Sequence, residues 1–134
     1  MKRIAALCLI FLLALPLAAC GEPDTFDAYA VDYSDPALTI AYGDYTGMGD
    51  FMNHVEEYEG QIICVDGLYD EVTVPCVMEP NDNGRSHGIT IDVAGYKMRD
   101  YPEPESRVRV TGILVREEYG LYVLYLTPEQ FVIL

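Results

Sequence analysis

The chain has no tryptophan, only two histidines, and eight lysines and arginines against 22 aspartates and glutamates, for a net charge of −14. So little base excludes nucleic acid as a partner, because a phosphate backbone is held by clustered Lys and Arg. It also excludes docking on anionic lipid heads through a basic patch. His54 and His87 have no cysteine or acid at ligand spacing, so the usual zinc patterns are missing. Ser86-His87 are neighbours in sequence, which does not make a nucleophile and its base. No other motif for acyl or phosphoryl transfer is present, and neither an enzyme nor a cofactor is expected.

What the chain does have begins at its start. Lys2-Arg3 precede an apolar run over 4–15, which is too short for a comfortable membrane span. A basic start, a short apolar stretch and small residues after it read as a secretory signal. The ending Leu17-Ala18-Ala19-Cys20 resembles the bacterial lipobox. In that motif a diacylglyceryl group is carried on the cysteine sulfur and the chain is cut just before it. The expectation is an extracytoplasmic protein tethered to the cell membrane through Cys20, with Cys8 lost in the leader. An ordinary signal peptide or an uncleaved anchor are the alternatives. Each buried CH₂ of an acyl chain contributes about 0.8 kcal/mol, so two or more chains hold a protein stably. Losing Lys2 and Arg3 would leave six bases against all 22 acids, a net charge of −16. Such a surface suits basic partners, divalent cations or plain solubility.

Cutting before Cys20 leaves 115 of the 134 residues, the size of one domain with one core. Residues 20–37 read as a lipidated N-terminus and acidic tether, since 21–35 hold five acids, no base and no hydrophobic period. The domain is expected over 38–134. Residues 38–42 alternate as a short strand. The spacing of Phe51, Met52, Val55 and Tyr58 predicts a helix over 50–58, with Asp50 as N-cap and Gly60 as the stop. Glu56, Glu57 and Glu59 crowd its C-terminal end, where the helix dipole disfavours them.

Beyond Gly60 the signal is strand. Residues 61–69, 72–78, 88–93, 107–115 and 121–126 are β-branched or aromatic runs. Asp70-Glu71, Asn81-Asp82-Asn83-Gly84, residues 100–104 and Glu117-Glu118-Tyr119-Gly120 divide them as turns. Val65-Asp66-Gly67 and Val110-Thr111-Gly112 repeat a small pattern, and a glycine inside a strand marks a bulge or bend. Five strands, with bends in the first and fourth, predict a small five-stranded OB-fold-like barrel, all-β, with one short helix before its first strand. An open sandwich is the alternative. Pro75 removes a ladder hydrogen bond, so it calls for a bulge or for a strand that starts at Cys76.

The string Tyr58-Glu59-Gly60-Gln61-Ile62-Ile63-Cys64-Val65-Asp66-Gly67 is similar to the helix-then-strand opening of OB-fold lipoproteins from Gram-positive-type bacteria. Asp100-Tyr101-Pro102-Glu103, Val110-Thr111-Gly112 and Glu117-Glu118-Tyr119-Gly120-Leu121-Tyr122 fit the same pattern, so the resemblance covers 38–134. It implies the barrel and the anchor. Many relatives carry adjacent cysteines followed by Gly-x-Glu between the second and third strands. This chain has 81–88 there and no cysteine pair, so no thiol chemistry is carried over.

Cys64 and Cys76 fall on adjacent predicted strands. A hairpin turning about Asp70 would oppose them at disulfide distance, whereas the alternative is two buried thiols. Glu79-x-Asn81-x-Asn83-Gly84 resembles the start of a calcium loop, but Thr90 at its twelfth position cannot supply the bidentate carboxylate, so a turn is expected and no metal. In an OB-fold the loops joining strands one to two and four to five flank the binding face. Here they would form a ligand rim of Tyr69, Asp70, Glu71, Glu117, Glu118 and Tyr119, or else two solvated hairpin tips. Tyrosine rings stack on sugars or cations, and carboxylates accept from hydroxyls or pair with amines. The expected function is a non-catalytic binding or assembly module of the cell envelope, with a basic, cationic or sugar-like ligand. The alternative is a metal- or redox-handling lipoprotein using Cys64 and Cys76.

Cys20→Ser should accumulate as a full-length precursor that takes up no labelled palmitate. Processing and labelling that persist in this variant would place the anchor elsewhere.

Overall fold

The computed structural model describes residues 26–71, 73–80 and 88–134. The expected leader with Cys20, Val72, and residues 81–87, where a turn was expected at Asn81 and Asn83 and where Ser86 and His87 fall, lie outside the described residues. The elements are β1 (Leu38–Ile40), α1 (Tyr45–Asn53), β2 (Ile62–Asp70), β3 (Cys76–Met78), β4 (Gly88–Val93), β5 (Arg107–Arg116), β6 (Tyr122–Leu126) and β7 (Phe131–Ile133), joined by short 3-10 turns. No helix among the described residues is long and apolar enough to cross a membrane.

β2 pairs with β3, β3 with β4, β4 with β6, β6 with β5, and β5 returns to β2. Five strands thus close on themselves in a small all-β, OB-fold-like barrel, with β4–β6 the parallel pair. Alternation fills its interior. In β5 Val108, Val110 and Leu114 are buried, while Arg107 and Arg109 face water. β4 does the same with Ile89, Ile91 and Val93 inside and Thr90 and Asp92 outside.

The repeated Val-x-Gly pattern marks where the two long strands change neighbours. β2 pairs with β1 at 63–65 and with β3 at 68–70. β5 pairs with β7 at 108–110 and with β6 at 113–116. Gly67 and Gly112 sit at the two exchanges, and Val65 lies directly opposite Val110 between them. At each exchange another backbone comes too close for a side chain. A Cβ on Gly112 would lie 2.9 Å from the Tyr125 carbonyl oxygen, and one on Gly67 would meet the Met78 carbonyl. β6 and β7 share one edge of β5 and run the same way, so they are two lengths of one path broken by the 3-10 turn Pro128–Gln130.

Three expectations are corrected. The α-helix begins earlier than residue 50: Asp44, not Asp50, caps it, accepting from the Gly47 N–H at 2.9 Å. α geometry stops at Asn53, and Val55–Tyr58 continue as a 3-10 turn, in keeping with the glutamates that oppose the dipole there. The apolar stripe survives this break. Phe51 is fully buried, and Met52, Val55 and Tyr58 pack against the core. Second, β3 is shorter than 72–78: of the two alternatives at Pro75 the strand starts at Cys76, as the missing N–H requires, and β7 extends the sheet beyond the expected strands. Third, the part of the tether from Phe26 onward is docked on the barrel. The Phe26 ring lies 5.1 Å from that of Tyr125, Ala28 is buried, and the Tyr33 hydroxyl donates to the Ala28 carbonyl at 2.8 Å. An aromatic contact with β6 thus holds this acidic segment against the barrel.

One end of the barrel is filled by rings. Tyr69 stacks on Tyr101 with centroids 5.4 Å apart and planes 9° apart, and Tyr96 and Phe131 meet Tyr101 edge-on. On the outer face Asp66 and Arg109, directly paired across β2 and β5, form a two-pronged ion pair at 2.6 and 2.8 Å.

Gly112→Ala should lower unfolding stability by about 1–3 kcal/mol, since the added methyl overpacks a rigid backbone contact. Thr39→Ala, on the exposed edge strand, should stay within about 0.5 kcal/mol in the same urea titration.

Candidate binding groove

A groove of about 830 Å³ runs over the outer face of β4 and β6. Its floor is Thr90, Asp92, Val123 and Tyr125, with the backbone of Ile91 between the first two. The β2–β3 loop bounds one end with Val74 and Pro75, and the β5–β6 hairpin bounds the other with Glu117, Glu118 and Leu121. The β4–β5 segment makes a wall with Tyr96, Lys97, Met98 and Tyr101.

Each border is held by backbone bonds. The Ile91 N–H donates to the Pro75 carbonyl at 3.0 Å, pinning the β2–β3 loop to β4. The Glu117 N–H donates to the Leu121 carbonyl at 2.7 Å and closes the hairpin. Between them Tyr119 has φ +65° and Gly120 φ +76°, so a tyrosine occupies left-handed backbone at the tip and stands fully exposed. In the wall, the Lys97 N–H donates to Asp100 Oδ2 at 2.8 Å, and the Val93 N–H donates to the Tyr101 hydroxyl oxygen at 3.2 Å. Burial raises the Tyr101 phenol above its ordinary pKa, so it stays protonated. Asp92, Glu117 and Glu118 stand against the single cation Lys97, and among the described residues these three carboxylates join no ion pair.

The structure brings only part of the expected rim to this groove. Glu117 and Glu118 line the groove, and Tyr119 projects at the tip of the same hairpin. Tyr69, Asp70 and Glu71 do not line it. Tyr69 is fully buried in the aromatic cluster, and its hydroxyl donates to Glu71 Oε2 at 2.9 Å. Burial, then that bond, pushes its phenol far above its usual range. Asp70 Oδ1 accepts from the Glu71 N–H at 2.7 Å. The two tips cannot meet, because the β2–β5 ladder runs from Ile62↔Ile113 to Leu68↔Arg107 between them. Six residue steps of strand separate its ends by about 20 Å. Val74 and Pro75 take the place expected of Tyr69 and Asp70. Asp92, Tyr125 and Met98 went unseen in the sequence. The signal for Asp92 was there, as the charged outward position in Ile89-Thr90-Ile91-Asp92-Val93.

Of the two alternatives left open for the cysteines, a bridge or two thiols, the structure has the thiols. Cys76 lies opposite Asp70, whereas Cys64 lies opposite Thr111 on β5 and Thr39 on β1. Both are free thiols. The loop after Asp70 is long enough that the register puts Cys64 six residues, about 20 Å, from Cys76's partner position. Cys76 Sγ donates to the Asp70 carbonyl at 3.4 Å, and burial, then the Asp70 charge, pushes its thiol up to about 11. Among the described residues, no three His, Cys, Asp or Glu side chains gather to hold a metal ion. His54 is held above its ordinary pKa by the Asp50 carbonyl 3.0 Å away, with smaller help from Glu57 and Glu56.

No protein-family model, curated protein or solved structure matches the chain.

Cys76 should react with iodoacetamide more slowly than free cysteine at about pH 7.5, its rate climbing with pH until about pH 11 as the thiolate appears. Peptide mass spectrometry reads both thiols, and a Cys64–Cys76 cross-linked peptide would sink the register.

Proposed function

We propose that the protein is an extracytoplasmic lipoprotein, tethered to the cell membrane through Cys20, whose barrel serves the envelope as a non-catalytic binding or assembly module. The observation that carries this reading is the position of the groove. It lies between the β2–β3 loop and the β5–β6 hairpin, the two loops that flank the ligand face of an OB-fold. Its contents are those of recognition, with apolar side chains at the borders and a few carboxylates. The acidic composition turns that face away from nucleic acid. The resemblance of 38–134 to OB-fold lipoproteins and the lipobox-like Leu17-Ala18-Ala19-Cys20 support the address.

The redox- or metal-handling alternative has less support. It needs two thiolates close together, and here the cysteines occupy separate positions of the barrel while Cys76 is held as the thiol.

The docking of Phe26 bears on how the module is carried. Only six residue steps separate Cys20 from Phe26, which reach at most about 22 Å when extended. The barrel would therefore ride close to the membrane, with the Tyr125 side of the groove near the tether. A photo-crosslinking residue at Leu121 in the membrane-bound protein should trap a discrete envelope component. The same residue at Thr39, exposed on β1, should not. Equal trapping from both positions, or none from Leu121, would refute the groove as the binding face.

A further inference from the structure

The ligand class left open above was basic, metallic or sugar-like, and the groove discriminates among them. We infer that the groove over β4 and β6 receives an extended peptide segment in which basic residues alternate with apolar ones, and this rests on the reading of the groove as the binding face.

A stacking platform for sugar needs free aromatic faces. The rings that line the groove are already used, and the free ring of Tyr119 stands at the hairpin tip outside its lining. Tyr101 is stacked by Tyr69 and met edge-on by Tyr96, and Tyr125 is packed by Phe26. A metal ion needs converging ligands, which the described residues do not assemble. Cations on a chain remain. Asp92 on the floor and Glu117 and Glu118 on the hairpin outnumber Lys97, so the groove carries net negative charge inside an already acidic protein. Cationic partners are steered to such a face.

Apolar contacts make the ligand more than a charge. Val74, Met98 and Leu121 are about half exposed at 45%, 55% and 53%, and all three border this one groove. Single exposed apolar residues need no explanation, but three around one cleft mark an interaction surface. Beside them Tyr119 stands fully exposed on left-handed backbone, a strained position of the kind that gathers at functional sites. On β6 the floor takes in Val123 and Tyr125, the two outward positions of Tyr122–Leu126, an extended stretch of about 13 Å beside which an extended segment can lie. A strand-like peptide presents side chains alternately to its two sides, so basic residues can turn to Glu117, Glu118 and Asp92 while apolar ones turn to Val74, Met98 and Leu121.

The test uses the mature lipidated protein in phosphatidylcholine nanodiscs and a fluorescent decapeptide alternating lysine with valine, read by anisotropy. Wild type should bind this peptide, and raising salt from about 50 to about 500 mM should weaken binding about tenfold. Replacing Asp92 by Asn together with Glu117→Gln and Glu118→Gln should cost about tenfold in affinity, and Leu121→Ser several-fold. The control removes the same charge elsewhere, through Glu56→Gln, Glu57→Gln and Glu59→Gln on exposed positions after α1, and should leave affinity within about twofold. Equal losses from both triple variants would mean plain charge attraction and overturn the inference. So would equal binding of a lysine–serine peptide, or signal that follows empty nanodiscs, which would make the ligand the membrane. A position-specific crosslink from Leu121 without affinity for the lysine–valine peptide would sink this ligand class and leave the binding module standing.

Discussion

The β2–β5 ladder is the constraint on which the rest of the barrel depends. Seven antiparallel pairs, from Ile62↔Ile113 to Leu68↔Arg107, join the two longest strands and close the sheet. Each of these strands must then serve two neighbours on its other edge, because it is longer than any one of them. β2 gives way from β1 to β3 at Gly67, and β5 from β7 to β6 at Gly112. A strand can bend sharply enough for this only where no Cβ stands between its backbone and the next. The same ladder carries the Asp66–Arg109 pair on its outer face. Asp66 is nearly buried there, so the two-pronged contact also meets the carboxylate's need for donors.

Closure in this way determines what each end of the molecule does. One end holds the side chains of Tyr69, Tyr101, Tyr96 and Phe131 in mutual contact, drawn from β2, the β4–β5 segment and β7. Tyr96 and Tyr101 tie the β4–β5 segment into that cluster, and the same segment walls the groove. The outer faces of β4 and β6 remain open between the β2–β3 loop and the β5–β6 hairpin. Phe26 covers the margin of that face at Tyr125, so the segment leading from the proposed anchor is part of the groove's surroundings. The proposed address and the proposed binding face would thereby lie on one side of the barrel.

Local pattern made much of this legible. The run Gly88–Val93 is bounded as the sequence indicates because alternation and turn signals agree there, and the start of β3 at Cys76 follows from Pro75. The glycines of the two Val-x-Gly repeats were recognisable as bends, though not as points of exchange between neighbours. The helix was harder. Asp44 and Asp50 are both competent caps, and apolar spacing alone favoured the later one. The tether at 26–35 looked solvated because its acids dominate composition, while a single pairing of Phe26 with Tyr125 decides its placement.

What the sequence determined by itself is therefore local: strand alternation, the two bends and the acidic balance. What only tertiary structure decided is which residues share a place. Tyr69 and Glu117 looked like partners because each sits in a hairpin beside acids, yet the β2–β5 ladder holds those hairpins a strand length apart. Cys64 and Cys76 looked opposed, yet the length of the loop between them sets Cys76 against Asp70. Register is a collective property of all five paired strands, fixed by which faces are buried together. No stretch of sequence carries it alone, and so the groove of Asp92, Glu117 and Tyr125 comes into being only when the barrel closes.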